Sequence, residues 1–390
     1  MILIVGGGPA GLAAAIACGK KGILLERNPE AGKKLLISGS GQCNLSNARS
    51  HEEFLAALGD FRAWLKPAFY NYDNQALMDL LAENGCGVWI REDGKVFPQS
   101  RKANDVLSTL LTVLHKRGGT LRTGFMVQSI VKAAGGFLVT LADGKRLEAE
   151  KVIVAAGGAA WKHTGSDGAS YRLAESMGHS IVKPRPALSG VQIEGWDAFH
   201  QCAGVSLRAG LRIGKQMFKG DLLFTHKGFS GPVILDNSWR MEPKTAIRIS
   251  FVDCTDFIRS LAENPKKRVI SLVWGMALPH SVAEAAFRHL GISSDVTAAE
   301  LRASERNRLI NWLESAEFRI QSLESLDSAM SDYGGVSLME VNSKTMESRI
   351  IPGLYFAGES LAYSLPSGGF SIQMAFSTGY LAGVSAVNSI

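Results

Sequence analysis

The chain has 390 residues, 46% hydrophobic and 20% charged, an ordinary soluble composition long enough for two or three domains. A formal net charge of +6 and a pI near 9.0 form a mild basic bias, which favours an acidic partner such as RNA but is equally explained by solubility. The five cysteines are Cys18, Cys43, Cys86, Cys202 and Cys254; they form no C-x-x-C pair and are odd in number, so neither a metal site nor a disulfide framework is indicated.

The charge-free start, Met1 to Gly19, lacks the basic opening of a signal peptide and is too short and Gly-rich for a spanning helix. It reads better as strand, turn and helix. Ile2-Leu3-Ile4-Val5 is a short buried strand, and an Ala-rich helix runs to about Cys18. Between them Gly6, Gly8 and Gly11 stand at G-x-G-x-x-G spacing. Gly6 permits the turn, Gly8 lets a pyrophosphate approach the backbone, and Gly11 lets helix and strand pack closely. The first helical amides have no internal partner and carry partial positive charge, so the turn is a seat for a dinucleotide. A second strand, Ile23 to Glu26, follows, and Glu26 stands where an acid accepts from a ribose hydroxyl.

Gly32 to Asn44 holds a basic pair, Lys33 and Lys34, a brief apolar run, and a loop of small polar residues around Cys43. Such a loop can lie flat against an aromatic ring. Residues 51 to 115 read as mostly helical, over His51 to Leu65, Gln75 to Asn84 and Ala103 to Lys116, with a hairpin at Trp89 to Phe97. Leu121 to Gly124, Met126 to Lys132, Phe137 to Leu141 and Arg146 to Ala149 suggest a β-meander. Lys151 to Val154 is another buried strand, ending in Ala155-Ala156-Gly157-Gly158, where small residues leave room for a ligand.

Pro184 and Pro186 mark an exit from the first domain. Residues 188 to 252 are β-rich, and Val205 to Ile213 alternates with period two. His226, in the loop Phe224 to Pro232, reads as a proton donor, a substrate ligand or a structural residue. Residues 255 to 316 read as helical, their cations on solvated faces. The end of the chain returns to the first pattern: a strand runs into Gly358-Glu359, and Ser367-Gly368-Gly369-Phe370-Ser371-Ile372 opens a last helix. A strand-end carboxylate can grip a ribityl hydroxyl, and a helix N-terminus can stabilise negative charge on a flavin.

Together these residues resemble the BaiN/RdsA-like family of NAD(P)/FAD-dependent oxidoreductases over nearly the whole chain. The opening glycines, Lys34 to Cys43-Asn44, Phe224-Thr225-His226, Gly334-Gly335-Val336, Lys344 to Ser348 and Gly358-Glu359 carry the resemblance. It implies an α/β fold with a Rossmann-like FAD-binding domain built from both chain ends (residues 1–187 and 332–390). A β-barrel insertion (188–254 and 317–331) and a helical subdomain (255–316) are implied between them. It adds Pro9, Ala10, Arg27, Ser38, Gly39, Gly41 and Val127 to the expected FAD contacts. It further implies NADH or NADPH as reductant, and reduction of a conjugated C=C bond in ribosomal RNA or in a small enone. Cys43 is the first candidate acid and His226 the second; the alternative for Cys43 is a small residue packed under the flavin. Gln42, Ala156, Ala362 and Ser371 depart from the family pattern, which bears on substrate choice and catalysis more than on FAD binding. Two other readings follow: a flavin oxidase of a small amine or ketoamine, and a flavin- or RNA-binding module that has lost its chemistry.

Overall fold

The computed structural model describes residues 1–389 and divides the chain into two compact units, Met1–Arg185 with Leu326–Ile390, and Pro186–Ser325. In the first unit β1 (Ile2–Val5) is buried along its whole length and pairs in parallel on both edges. A strand covered on both faces reads as one apolar run rather than an alternation. The chain turns into α1 (Pro9–Cys18), returns as β2 (Gly22–Glu26), and makes one short helix, α2 (Lys33–Ile37).

The stretch His51 to Leu65 is not a single helix. It breaks into His51–Ala57, a short 3-10 turn and Arg62–Asn71, with Ser50 and Glu53 closing a capping box on the first piece. A second correction concerns β3 (Thr120–Thr123). It is not the first strand of the meander but pairs in parallel with β2 as an edge of the main sheet. The meander consists of Val127–Ala133, Gly136–Leu141 and Arg146–Ala149, and leads into β4 (Lys151–Val154) and α3 (Ala169–Ser176).

The second unit is a closed barrel of β5 (Val191–Ile193), β6 (Ser206–Ile213), β7 (Gln216–Phe224), β8 (Gly228–Ser230), β9 (Ala246–Ser250) and β10 (Ala316–Leu323), in the order β5-β8-β7-β6-β9-β10. Four helices, Thr255–Glu263, Val269–Trp274, His280–Leu290 and Ala303–Ser315, lie between β9 and β10. They share one apolar core with the barrel: Trp312 stacks on Phe199 with ring centroids 5.9 Å apart and on Phe251 at 4.7 Å.

The chain re-enters the first unit through β11 (Ser331–Val336), β12 (Leu354–Phe356) and α4 (Phe370–Asn388). The parallel sheet then has the order β12-β4-β1-β2-β3, so the last strand lies two places from the first. α4 packs against α1 through small residues. A methyl at Gly379 would overlap the Ala10 carbonyl, and one at Gly383 would sit 2.5 Å from the Ala14 oxygen. Bare backbone at those positions is what brings the two chain ends together.

Candidate cofactor site

The carboxyl ends of β1, β2, β4 and β12 open on one edge of the sheet, where α1 and α4 begin. Gly6 has φ of 106°, and a methyl there would lie 2.5 Å from the Ala155 oxygen, so only glycine makes this turn. A methyl on Gly11 would overlap the Gly6 carbonyl oxygen. Gly8 is different. It caps α1 in extended backbone, and no atom lies within 4 Å of where its Cβ would be. The turn is therefore tight at Gly6 and Gly11 and open at Gly8, beside helical amides with no intrahelical partner. Pro9 and Ala10 form the first positions of α1 and Pro9 removes one of those amides.

Glu26 is buried and braces this turn. Its Oε2 accepts from the Gly7 N–H at 2.7 Å, and its Oε1 from Asn28 N at 2.8 Å and Asn28 Nδ2 at 2.7 Å. The acid expected to hold a ribose thus also holds its own loop, and Oε2, with a single donor, keeps acceptor capacity. Arg27 pairs with Asp167 at 2.9 Å and donates to the Gly165 carbonyl. Gly124 and Phe125 donate to the carbonyls of Asn28 and Glu26, which carries buried Val127 past the end of β2.

Next to α2, Ser38 Oγ donates to the Leu35 carbonyl and the Cys43 N–H to the Ser38 carbonyl. The tight loop puts Gly39, Ser40, Gly41 and Cys43 in left-handed backbone, strained at the two non-glycine residues, with φ of 56° at Ser40 and 60° at Cys43. Such strain gathers where a ligand is clamped. Asn44 Oδ1 is buried without a donor from the chain. Cys43 is wholly buried, and burial pushes its thiol up to about 12. That supports the packing alternative over an acid working at the ring.

Across the sheet edge, Ala155 donates to the Val5 carbonyl, which lays Ala155, Ala156 and Gly157 beside Gly6. The Gly358 N–H is held by Thr378 Oγ1 of α4 at 2.9 Å. α4 opens at Gly369 in left-handed backbone, where a methyl would overlap the Ser46 carbonyl. Gly368 accepts from Asn47 Nδ2. The amides of Phe370, Ser371 and Ile372 have no intrahelical partner, so a second helix N-terminus faces the same edge. Lys33 opens α2, half-buried.

The sequence reading missed a polar network here. Lys34 Nζ pairs with Glu359 Oε2 at 2.6 Å, and Ser331 Oγ donates to Glu359 Oε1 at 2.8 Å. Beside it Asp332 Oδ2 accepts from Tyr171 Oη at 2.6 Å and from the Ala159 N–H at 3.0 Å, while its Oδ1 is buried without a partner. Burial first, then the nearby Glu359 charge, raises the Asp332 carboxyl above its ordinary value, and burial with the Asp332 charge raises the Tyr171 phenol. The signal available in the sequence was one acid in the otherwise uncharged strand Ser331-Asp332-Tyr333-Gly334-Gly335-Val336.

His226 belongs to the second unit, exposed between β7 and β8 with its ring 5.1 Å from that of His200. Among the described residues no cluster of metal-ligating side chains occurs, and no helix is long and apolar enough to cross a membrane.

Residues 1–385 match the family described as HI0933-like protein Rossmann domain. The chain belongs to that family. It is 30% identical to the 3-dehydro-bile acid delta(4,6)-reductase of Clostridium scindens, over 98% of this chain and 98% of that protein. It is 27% identical to the ribosomal RNA dihydrouridine synthase of Escherichia coli, over 97% and 96%. Among solved structures, the 3-ketosteroid-delta4-(5alpha)-dehydrogenase of Rhodococcus jostii shares the fold, with a TM-score of 0.52 at 17% identity over 99% of this chain and 96% of that one. The protein is a flavin-dependent oxidoreductase with a Rossmann-like FAD-binding domain. The residues present fit FAD: an open position at Gly8, two helix N-termini at one sheet edge, and an orphaned acceptor at Asn44.

Proposed function

We propose that the protein reduces the C5=C6 bond of a uracil in large-subunit ribosomal RNA, drawing electrons from NADH or NADPH. The observation that carries the reading is the end-to-end match to two proteins named ribosomal RNA dihydrouridine synthase, at 27% and 28% identity. The positive net charge agrees with a polyanionic substrate.

FAD, when bound, supplies the hydride chemistry, and the chain supplies binding, orientation and electrostatics. The open Gly8 turn and the amides of α1 receive a pyrophosphate. The amides of Phe370, Ser371 and Ile372 at the start of α4 would hold the flavin and favour negative charge beside it. The pair of Lys34 with Glu359, tied to Ser331, fixes the strand-end carboxylate in one orientation. Cys43, wholly buried, and His226, exposed, are the proton-donor candidates.

A second reading is reduction of a small enone, favoured by the 30% identity to a bile-acid reductase. Mass spectrometry of nucleosides from ribosomal RNA of cells with and without the protein tests the proposal. One dihydrouridine should disappear and return when the protein is restored. An unchanged nucleoside pattern, with enone turnover by the pure protein, would replace the first reading with the second.

A further inference from the structure

The barrel carries a one-sided basic face that the nucleotide seat does not use. Along β6 the side chains alternate: Ala209 and Leu211 are buried in the barrel, whereas Arg208 and Arg212 are exposed outside it. The register fixes their neighbours. On β7, Asp221 lies opposite Arg208, Lys219 opposite Gly210, and Met217 opposite Arg212. On β9, Arg248 lies directly opposite Arg212. Lys215 stands in the turn that joins β6 to β7.

Arg248 is neutralised by Glu317 of β10 at 2.9 Å. No carboxylate of the described residues comes within ion-pairing distance of Arg208, Arg212, Lys215 or Lys219. Arginines placed directly opposite on paired strands repel and weaken the pairing. Arg208 and Arg212, four residues apart on one strand, stand about 13 Å from each other along it, and Lys219 lies opposite the gap between them. Gly210 leaves the centre of the row without a side chain, and exposed Met217 offers apolar surface among the cations.

We propose that the outer face of β6 and β7, through Arg208, Arg212, Lys215 and Lys219, docks the sugar–phosphate backbone of the RNA substrate. The inference rests on the RNA reading of function and adds to it the surface that grips the RNA away from the reacting base. Phosphate contacts of this kind hold and orient without reading sequence.

The test uses the flavin-loaded full chain and large-subunit ribosomal RNA transcribed in vitro, with binding measured across a salt series. Each lost contact to single-stranded RNA lowers the slope of log K against log salt by about 0.7. The triple variant Arg212→Gln, Lys215→Gln, Lys219→Gln should therefore lower it by about 2 and weaken binding roughly 100-fold near 0.1 M salt. A control, Lys266→Gln, Lys267→Gln, Arg306→Gln, removes the same charge from exposed positions between β9 and β10, two in a turn and one on a helix, and should leave the slope unchanged. All substituted residues are exposed, so melting temperature and flavin absorbance should match the parent in both variants. An unchanged slope in the first variant, or an equal fall in both, would overturn the docking face while leaving the RNA reading intact. Failure of the parent protein itself to bind the transcript would overturn both.

Discussion

The Gly8→Ala substitution separates cofactor binding from folding. Gly8 already has the backbone of an ordinary L-residue, with φ of −79° and ψ of −176°, and its Cβ would meet nothing within 4 Å. Alanine is a poorer N-cap than glycine by about 0.5–1 kcal/mol. It also reduces the entropy of the unfolded chain, worth about 0.4–1 kcal/mol in the opposite direction. The two nearly cancel, so the unliganded variant should melt within a few degrees of the parent. A methyl at the mouth of α1 does, however, stand where the pyrophosphate must approach. Loss of one charge-assisted amide–phosphate bond, about 1.5–3 kcal/mol, corresponds to roughly 10–100-fold weaker FAD binding. Gly11→Ala is the contrast: its methyl would overlap the Gly6 oxygen, so it should destabilise the fold even without ligand. The assay is thermal melting with and without FAD, since a ligand raises stability in proportion to its affinity. Parent-like FAD stabilisation of Gly8→Ala, or unfolding as severe as in Gly11→Ala, would refute the reasoning.

Other outcomes follow from the same geometry. A carboxyl whose pKa is raised on folding binds more protons folded than unfolded, so its contribution falls as pH rises above about 4, the unfolded value. Asp332→Asn removes that fall and should gain stability relative to the parent as pH rises from about 4 in urea titrations; a constant difference across that range would contradict a carboxyl raised by burial. Asp332→Ala should instead cost about 1–3 kcal/mol by orphaning the buried Ala159 N–H. Cys43→Ala should leave turnover within about tenfold, because the thiol is wholly buried and high in pKa. A loss of roughly 10²–10⁴-fold with FAD still bound is what acid catalysis would give, and would restore Cys43 as the donor.

The nucleotide seat was legible because its signals are local. Ile2 to Val5 is one apolar run, the three glycines follow at fixed spacing, and Gly368-Gly369 opens the last helix. Long-range placement was not. Thr120 to Thr123 is a short run next in the chain to the meander strands, and its parallel pairing with β2 is what distinguishes it. The break in His51 to Leu65 falls at Gly59, in left-handed backbone, a local stop signal that the apolar period masks. Asp332 and Tyr171 lie far apart in the chain, so no local pattern joins a buried acid to a buried phenol. Ala-rich α1 reads as a helix from sequence, but its close fit to Gly379 and Gly383 appears only when both ends are seen together. The basic face of the barrel is likewise a matter of register: Arg212 and Arg248 become neighbours only when β6 pairs with β9.

Reoxidation of the reduced holoenzyme tests the central claim most directly. The flavin-loaded protein is photoreduced without oxygen or nicotinamide and mixed with unmodified large-subunit ribosomal RNA, and the flavin absorbance band is followed. Recovery of the band, with one dihydrouridine formed per flavin, is the expected result. A band that stays bleached with the RNA and with conjugated enones, yet returns at once on admission of air, would contradict it.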